Sequence, residues 1–405
     1  MNDDVLSETT HPDREIRYID ISSVNSSGTI DNGEVMTFGA APSRARRLVR
    51  HGDVVVSTVR TYLRAIAPIK QPSPSLVFST GFAVVRPGER LEPRYAAYAL
   101  QNCAFVEEVV ANSEGVAYPG ISPARLAALR VPVLPRDAQG AVADYLDFET
   151  ARIDNLINRK RCFIDLLFEK RTALISHAVT KGLDPEVEMK DCGVAWLGPV
   201  PATWDVVGSK RVFALRNARA WEEDAQLTAS QTWGVIPQEE FMTREGRRVV
   251  QVIKDPTILK HVEPGDFVIS MRSFQGGIER SDYRGCVSSA YVVLRPRSTV
   301  YPPFFTHLLK SSSYIQALQS TSDLVRDGQA LRYENFALVR LPLVPMEEQV
   351  AIAHFLDAET SHIDSLIQKT RRSVELLKEY RNALISAAVT GQIDIPKSEI
   401  TEGVA

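Results

Sequence analysis

Two loops in this chain carry side chains suited to reading the edge of a base. Each follows a Gly-Asp step and a short apolar run, Gly52-Asp53-Val-Val-Val-Ser57 in one place and Gly265-Asp266-Phe-Val-Ile-Ser270 in the other. The first loop holds Thr58, Arg60, Tyr62 and Arg64. The second holds Arg272, Ser273, Gln275 and Arg280. Arginine and glutamine are the residue types that pair with guanine and adenine edges in a major groove. Gly276-Gly277 permits close backbone approach in the second loop. The same composition also suits an ordinary polar loop. Arg44, Arg46, Arg47 and Arg50 form a basic cluster that fits phosphate or, equally, a solvated helix face. Arg244, Arg247 and Arg248 form a similar one. Two further loops, Gly115-Val-Ala-Tyr-Pro-Gly-Ile121 and Asp327-Gly-Gln-Ala-Leu-Arg332, add Tyr118, Gln329 and Arg332 as candidates.

Other chemistries find little support. There is no G-x-x-x-x-G-K-[ST] loop, no G-x-G-x-x-G and no Asn-Pro-Pro or Asp-Pro-Pro of an adenine methyltransferase. Cys103, Cys162, Cys192 and Cys286 are far apart, so reduced, buried thiols are expected rather than a zinc site or disulfides. The histidines show no metal spacing. No catalytic residue, cofactor or metal is therefore expected. The polar, acidic N-terminus is not a secretory signal, and no apolar run approaches the ~18–20 residues of a membrane span. A cytoplasmic protein is expected. The net charge is −3, but its distribution is uneven. Residues 14–130 carry 14 Arg/Lys against 10 Asp/Glu, and residues 196–340 carry 18 against 15. A mild basic excess in these two segments permits DNA binding without demanding it.

The element that must position these loops occurs twice. Residues 132–180 return without a gap as residues 342–390, with about half the positions identical. Each copy opens on P-x-x-P (Pro132 and Pro135, Pro342 and Pro345) and is read as a helix thereafter, over about 150–179 and 360–389. Ile153, Ile157, Ile164, Leu167 and Leu174 follow a four-three spacing, interrupted by Lys160 and Arg171. Ile363, Ile367, Val374, Leu377 and Leu384 repeat it, interrupted by Thr370 and Arg381. This is a coiled-coil seam. Leu156, Leu166, Leu366 and Leu376 widen the stripe beyond what one partner helix needs. Between the copies lie two unlike segments with β-branched strands, each followed by a helix-like stretch (95–110 and 304–318). The second opens on Trp196-Leu-Gly-Pro-Val-Pro-Ala-Thr-Trp204, an element the first half is read as lacking.

A helical repeat separating two unlike domains resembles the specificity subunit of a type I restriction–modification system. The residues that carry the resemblance are the P-x-x-P lead-ins, Gln139/Gln349, Leu146-Asp147/Leu356-Asp357, Glu149-Thr150/Glu359-Thr360 and Ile153-Asp154/Ile363-Asp364. The A-L-I-S-x-A-V-T ends (173–180 and 383–390) and the W-L-G-x-V-P opening at Trp196 also match. The resemblance implies an α+β chain with a pseudo-two-fold internal repeat. Two α/β target-recognition domains (1–131 and 183–341) alternate with two helical spacers (132–182 and 342–393) packed as an antiparallel coiled coil, and a tail follows (394–405). It implies a non-catalytic subunit that binds a bipartite target in double-stranded DNA and docks two methyltransferase subunits on its helices. The docking candidates are Ile153, Leu156, Ile157, Ile164, Leu167 and Leu174, with Ile363, Leu366, Ile367, Val374, Leu377 and Leu384. Whether restriction subunits join is left open. A protein-binding scaffold with two heads on a helical stalk is the alternative reading.

Overall fold

The computed structural model describes residues 1–2, 4–246, 258–270, 273–321 and 332–395. The chain divides into two compact units. One comprises Met1–Cys162 with Thr370–Ala405, and the other Phe163–Lys369. Each unit takes half of each of two long helices, Arg136–Lys181 and Met346–Val389.

Both long helices start directly after the second proline of their P-x-x-P, because proline fits only the first turn of a helix. They are therefore longer than the apolar seam indicates. The seam residues pack inside the chain. In the first unit Ile153 and Ile157 share a cluster with Val374 and Leu384. In the second, Ile164 and Leu167 share one with Ile363 and Ile367. The interrupting arginines complete this packing. Arg381 Nε lies 3.1 Å from Asp154 Oδ1, and Arg171 Nε lies 3.1 Å from Asp364 Oδ1. Asp154 and Asp364 are repeat counterparts, as are Arg171 and Arg381, so one ion pair is made twice. As the partner on the first helix advances from 154 to 171, that on the second falls from 381 to 364, so the helices run antiparallel.

In the first unit a four-stranded sheet has the order Glu34–Thr37, Glu15–Ile19, Leu76–Ser79, Ala45–Leu48, its middle pair parallel. A three-stranded antiparallel sheet has Val54–Ser57 at its centre, flanked by Ile66–Pro68 and Phe82–Val85. Successive side chains of a strand face opposite ways. Val54 and Val56 accordingly join the cluster with Phe105 and Val109, and Val55 joins that with Ile19 and Phe78. A strand covered on both faces reads as an unbroken apolar run. The stretch after it is two helices, Pro93–Gln101 and Cys103–Ala111, broken where Asn102 caps the second.

In the second unit an antiparallel sheet runs Phe213–Leu215, Val292–Pro296, Phe267–Ile269, Glu279–Arg280. Phe213 sits edge-on to Phe267, Phe305 and Phe336 at 5.3, 5.3 and 5.8 Å between ring centres. The helix-like stretch here is again two helices, Pro302–Leu308 and Ser312–Gln319. The W-L-G-x-V-P opening belongs to this unit. Trp204 is fully buried and donates from Nε1 to Glu348 Oε2 at 2.7 Å. The repeat counterpart of Glu348 is Ala138. Of the four free cysteines only Cys286 is buried. Cys162 is exposed on the first long helix, so the expectation of four buried thiols fails.

Candidate nucleic-acid interface

The Gly-Asp step builds each candidate loop from beneath. Gly52 and Gly265 hold φ of +84° and +90°, where a side chain would be strained. The next residue turns inward. Asp53 accepts from the Arg50 amide at 2.8 Å and from Arg86 Nε and Nη2 at 2.8 and 2.9 Å. Asp266 accepts from the Glu263 amide at 2.9 Å and from Arg216 Nε and Nη2 at 2.5 and 3.0 Å. Both aspartates are 1 % exposed, so the bidentate arginine replaces their lost hydration. The motif repeats while its arginine follows a different strand in each unit, Arg86 after Phe82–Val85 and Arg216 after Phe213–Leu215.

At the end of the first such strand, Thr58 is buried and its hydroxyl donates to Gly81 O at 2.9 Å. Thr58 therefore shapes the loop rather than lining its surface. Arg60 and Arg64 have φ of 53° and 55°, left-handed backbone that costs a non-glycine residue about 1–3 kcal/mol. They bracket a short turn that turns Tyr62 and Leu63 outward. The Arg60 guanidinium lies 4.8 Å from the centre of the exposed Tyr118 ring. The structure thus joins the two candidate loops of this unit. The arginine cluster lies on and beside the strand Ala45–Leu48, not on a helix. Arg44 is exposed, Arg46 packs over Phe38 at 4.7 Å, and Arg47 is half-buried.

In the second unit Ser273 is buried and its Oγ accepts from the Ser270 amide at 2.8 Å, again a loop-shaping role. Gln275 is exposed on the turn Ser273–Gly276. Arg280 lies in the strand Glu279–Arg280 and pairs with Asp282 at 2.8 Å. Arg332 is exposed just before the helix Tyr333–Leu338. Arg244 stacks on the exposed Trp233 at 4.5 Å. Arg272, Gln329, Arg247 and Arg248 lie outside the described residues.

Of the docking candidates, Ile153, Ile157, Ile164, Leu167, Ile363, Ile367, Val374 and Leu384 are buried within the chain. Leu174, Leu366 and Leu377 are half-buried, and Leu156 is 43 % exposed. The seam is thus internal packing, and the outward face of the helices is carried by Leu156 with Phe163, Leu166, Leu376 and Tyr380. Leu156, Leu166 and Leu376 are among the residues that widen the apolar stripe in the sequence, whereas Leu366, read with them, packs inward and Phe163 and Tyr380 lie outside that stripe.

Sequence reading also missed how the domains grip the helices. Gln139 and Gln349 are buried and make the same three hydrogen bonds. Gln139 Oε1 accepts from the Glu92 amide at 2.8 Å, and its Nε2 donates to Arg90 O and Leu134 O. Gln349 Oε1 accepts from the Tyr301 amide at 2.7 Å, and its Nε2 donates to Thr299 O and Val344 O. One residue type, 210 positions apart, thus ties the loop ahead of the first short helix in each recognition segment to the lead-in of each long helix. The L-D step supplies a second grip. Tyr98 donates its hydroxyl to Asp147 at 2.7 Å, whereas His307 Nε2 meets Asp357 at 2.8 Å. Burial lowers the His307 pKa, opposed by Asp357 and aided by Arg171 and Arg280.

Among the described residues, no group of three or more His, Cys, Asp or Glu side chains could hold a metal ion, and no helix is long and apolar enough to cross a membrane.

No protein-family model matches the chain. Curated relatives do. The MjaX protein of Methanocaldococcus jannaschii, provisionally named a type I restriction enzyme specificity subunit, is 22 % identical over 370 residues, covering 85 % of this chain and 79 % of its own. The EcoKI specificity subunit of Escherichia coli is 29 % identical over 138 residues, 33 % of this chain and 30 % of its own. A chain from a structure of type I R-M complex assembly superimposes with a TM-score of 0.72 at 21 % identity, covering 97 % and 96 % of the two chains. The HsdS subunit of Thermoanaerobacter tengcongensis superimposes with a TM-score of 0.51 at 20 % identity over 96 % and 94 %. The internal repeat, the antiparallel helices and these likenesses agree: the chain is similar in sequence to type I restriction–modification specificity subunits and has their fold.

Proposed function

We propose that this chain is the sequence-specific DNA-recognition subunit of a type I restriction–modification complex and performs no chemistry itself. Residues 1–131 and 183–341 are its two target-recognition domains, each reading one half-site of a bipartite duplex target. Residues 132–182 and 342–393 are the helical spacers that set the gap between half-sites. The observation that carries this reading is the duplicated grip. Gln139 and Gln349 seat two unlike domains by the same three bonds on one repeated helical element, as a subunit reading two different half-sites requires.

Arg60, Arg64, Tyr62 and Tyr118, with Arg44, Arg46 and Arg47, contact the first half-site, supported by Thr58. Arg272, Gln275, Arg280, Gln329 and Arg332 contact the second, supported by Ser273. The outward helix face around the repeat counterparts Leu166 and Leu376, with Leu156, docks the methyltransferase subunits, one per repeat, in the cytoplasm where the DNA is.

Binding of Arg60→Ala and Arg272→Ala to the full target tests the assignment. A lost bidentate guanine contact removes about 1–3 kcal/mol of discrimination at one half-site. A lost phosphate contact weakens all sequences and lowers the salt slope by about one. Wild-type affinity and salt dependence in both variants would refute the placement of these loops. Failure of the native chain to recover a methyltransferase subunit on pull-down would refute the class.

A further inference from the structure

We propose that the first recognition domain reads a thymine 5-methyl group with Val116, at the tip of loop 115–119. This rests on the DNA-binding reading above and assigns a chemistry to one of its loops.

The loop is built rigidly. Glu114 and Gly120 exchange backbone hydrogen bonds of 2.8 and 2.9 Å, closing a five-residue tip. Gly115 turns the chain with φ of +110°. The tip is sewn to the strand exit: the Arg60 amide donates to Pro119 O at 2.7 Å, and the Ile121 amide donates to Thr58 O at 2.8 Å. The Thr61 and Ser113 hydroxyls meet at 2.7 Å, and Arg125 pairs with Glu114 at 2.6 Å. On this scaffold Val116 stands fully exposed, at 105 % of its reference area. A single exposed apolar residue is ordinary on a protein surface. This one sits on a stapled tip beside Tyr118, Tyr62 and Leu63, all exposed, with the exposed cations Arg60 and Arg64 in the same loops.

That mixture selects the occupant. The arginines favour an anion, and the glutamate at the loop base is already paired. The apolar tip needs a small hydrophobic target presented beside negative charge. A DNA major groove offers that combination, since the thymine methyl is its apolar feature and phosphates flank it. Valine also suits a methyl better than a base step. It is short and stiff at χ1, so it cannot reach between stacked bases but can hold one van der Waals contact at little entropic cost.

The test compares thymine with uracil, which differ by that methyl. The full-length chain, co-expressed with methyltransferase subunits, selects its target from a randomised duplex library. Each thymine of the selected target is then replaced singly by uracil. The expected result is a loss of about fourfold in affinity at one thymine, or two adjacent thymines, within one half-site, the worth of about one buried methyl. Val116→Ser removes that discrimination and leaves thymines of the other half-site unaffected, while Val116→Ile keeps it. Equal affinity for uracil and thymine throughout, a target without thymine in either half-site, or discrimination that survives Val116→Ser overturns the inference while DNA recognition stands. No enrichment of any sequence would sink the DNA-binding reading, and this inference with it.

Discussion

The glutamine grip sets a measurable stability for each unit. Gln139→Ala removes three hydrogen bonds at a fully buried site: one from the Glu92 amide and two to the carbonyls of Arg90 and Leu134. A buried hydrogen bond contributes about 1 kcal/mol net, and a buried partner left unpaired costs about 1–3 kcal/mol. The cavity vacated by the amide admits water to some of these groups, so the lower end applies. The expected loss is about 3 kcal/mol in the first unit, or about 6–12 °C in its melting temperature. Gln349→Ala should cost the second unit a similar amount, because its three bonds are the same. Calorimetry of the single variants measures the cost. Hydrogen exchange locates it, since the Glu92 amide should exchange faster in Gln139→Ala and the Tyr301 amide in Gln349→Ala. A melting shift below about 2 °C with unchanged exchange at Glu92 would show that the loop ahead of the helix Pro93–Gln101 is held by packing, and the reasoning would fail.

Two further outcomes are expected. Arg381→Asp should destabilise the first unit, and adding Asp154→Arg should recover about 1 kcal/mol of the loss, a modest figure because Asp154 is 38 % exposed; a double-mutant cycle with no coupling would argue against the pair. Burial pushes the Glu279 carboxyl up to about 7 from an ordinary 4.5, with Lys310 at 2.8 Å opposing the rise. Between pH 4.5 and 7 the unfolded chain loses this proton while the folded unit keeps it, so stability should fall with rising pH, by about 3 kcal/mol over that window. Glu279→Gln should flatten that slope in a series of denaturant titrations, and a slope unchanged by the substitution would count against the assignment.

The sequence revealed those parts of the fold whose pattern has one physical cause. The runs at Val54–Ser57 and Phe267–Ile269 are strands covered on both faces, and an unbroken β-branched or aromatic run says so directly. The helical seam was legible because an apolar repeat of about 3.5 residues arises from little besides helices packed side by side. Where two causes give one pattern, the reading slipped. Arg171 and Arg381 break the apolar period and read as interruptions, yet each neutralises an aspartate of the facing helix. The clue was present in duplicate, since an I-D step is followed 17 residues later by Arg in both repeats. The strand Ala45–Leu48 carries two adjacent arginines and no alternation, so pairing with Leu76–Ser79 rather than local preference makes it a strand. Thr58 and Ser273 looked like surface hydroxyls because a polar residue in a loop gives no sign of which way it turns.

The duplication is incomplete in a way that tells which contacts define it. Gln139 and Gln349, and the Asp-Arg pairs, are kept in type and in partner atoms. The L-D grip keeps its aspartate but exchanges the tyrosine hydroxyl at Tyr98 for the imidazole of His307. Glu348, which accepts from Trp204, has Ala138 as its repeat counterpart, so this contact differs between the repeats. Contacts between helix and helix or between helix and chain backbone are thus retained, whereas contacts to domain side chains follow the domain. A scaffold that carries two different readers should vary in that way. Its fixed bonds must address backbone atoms, which every domain presents, and its variable ones the side chains that differ.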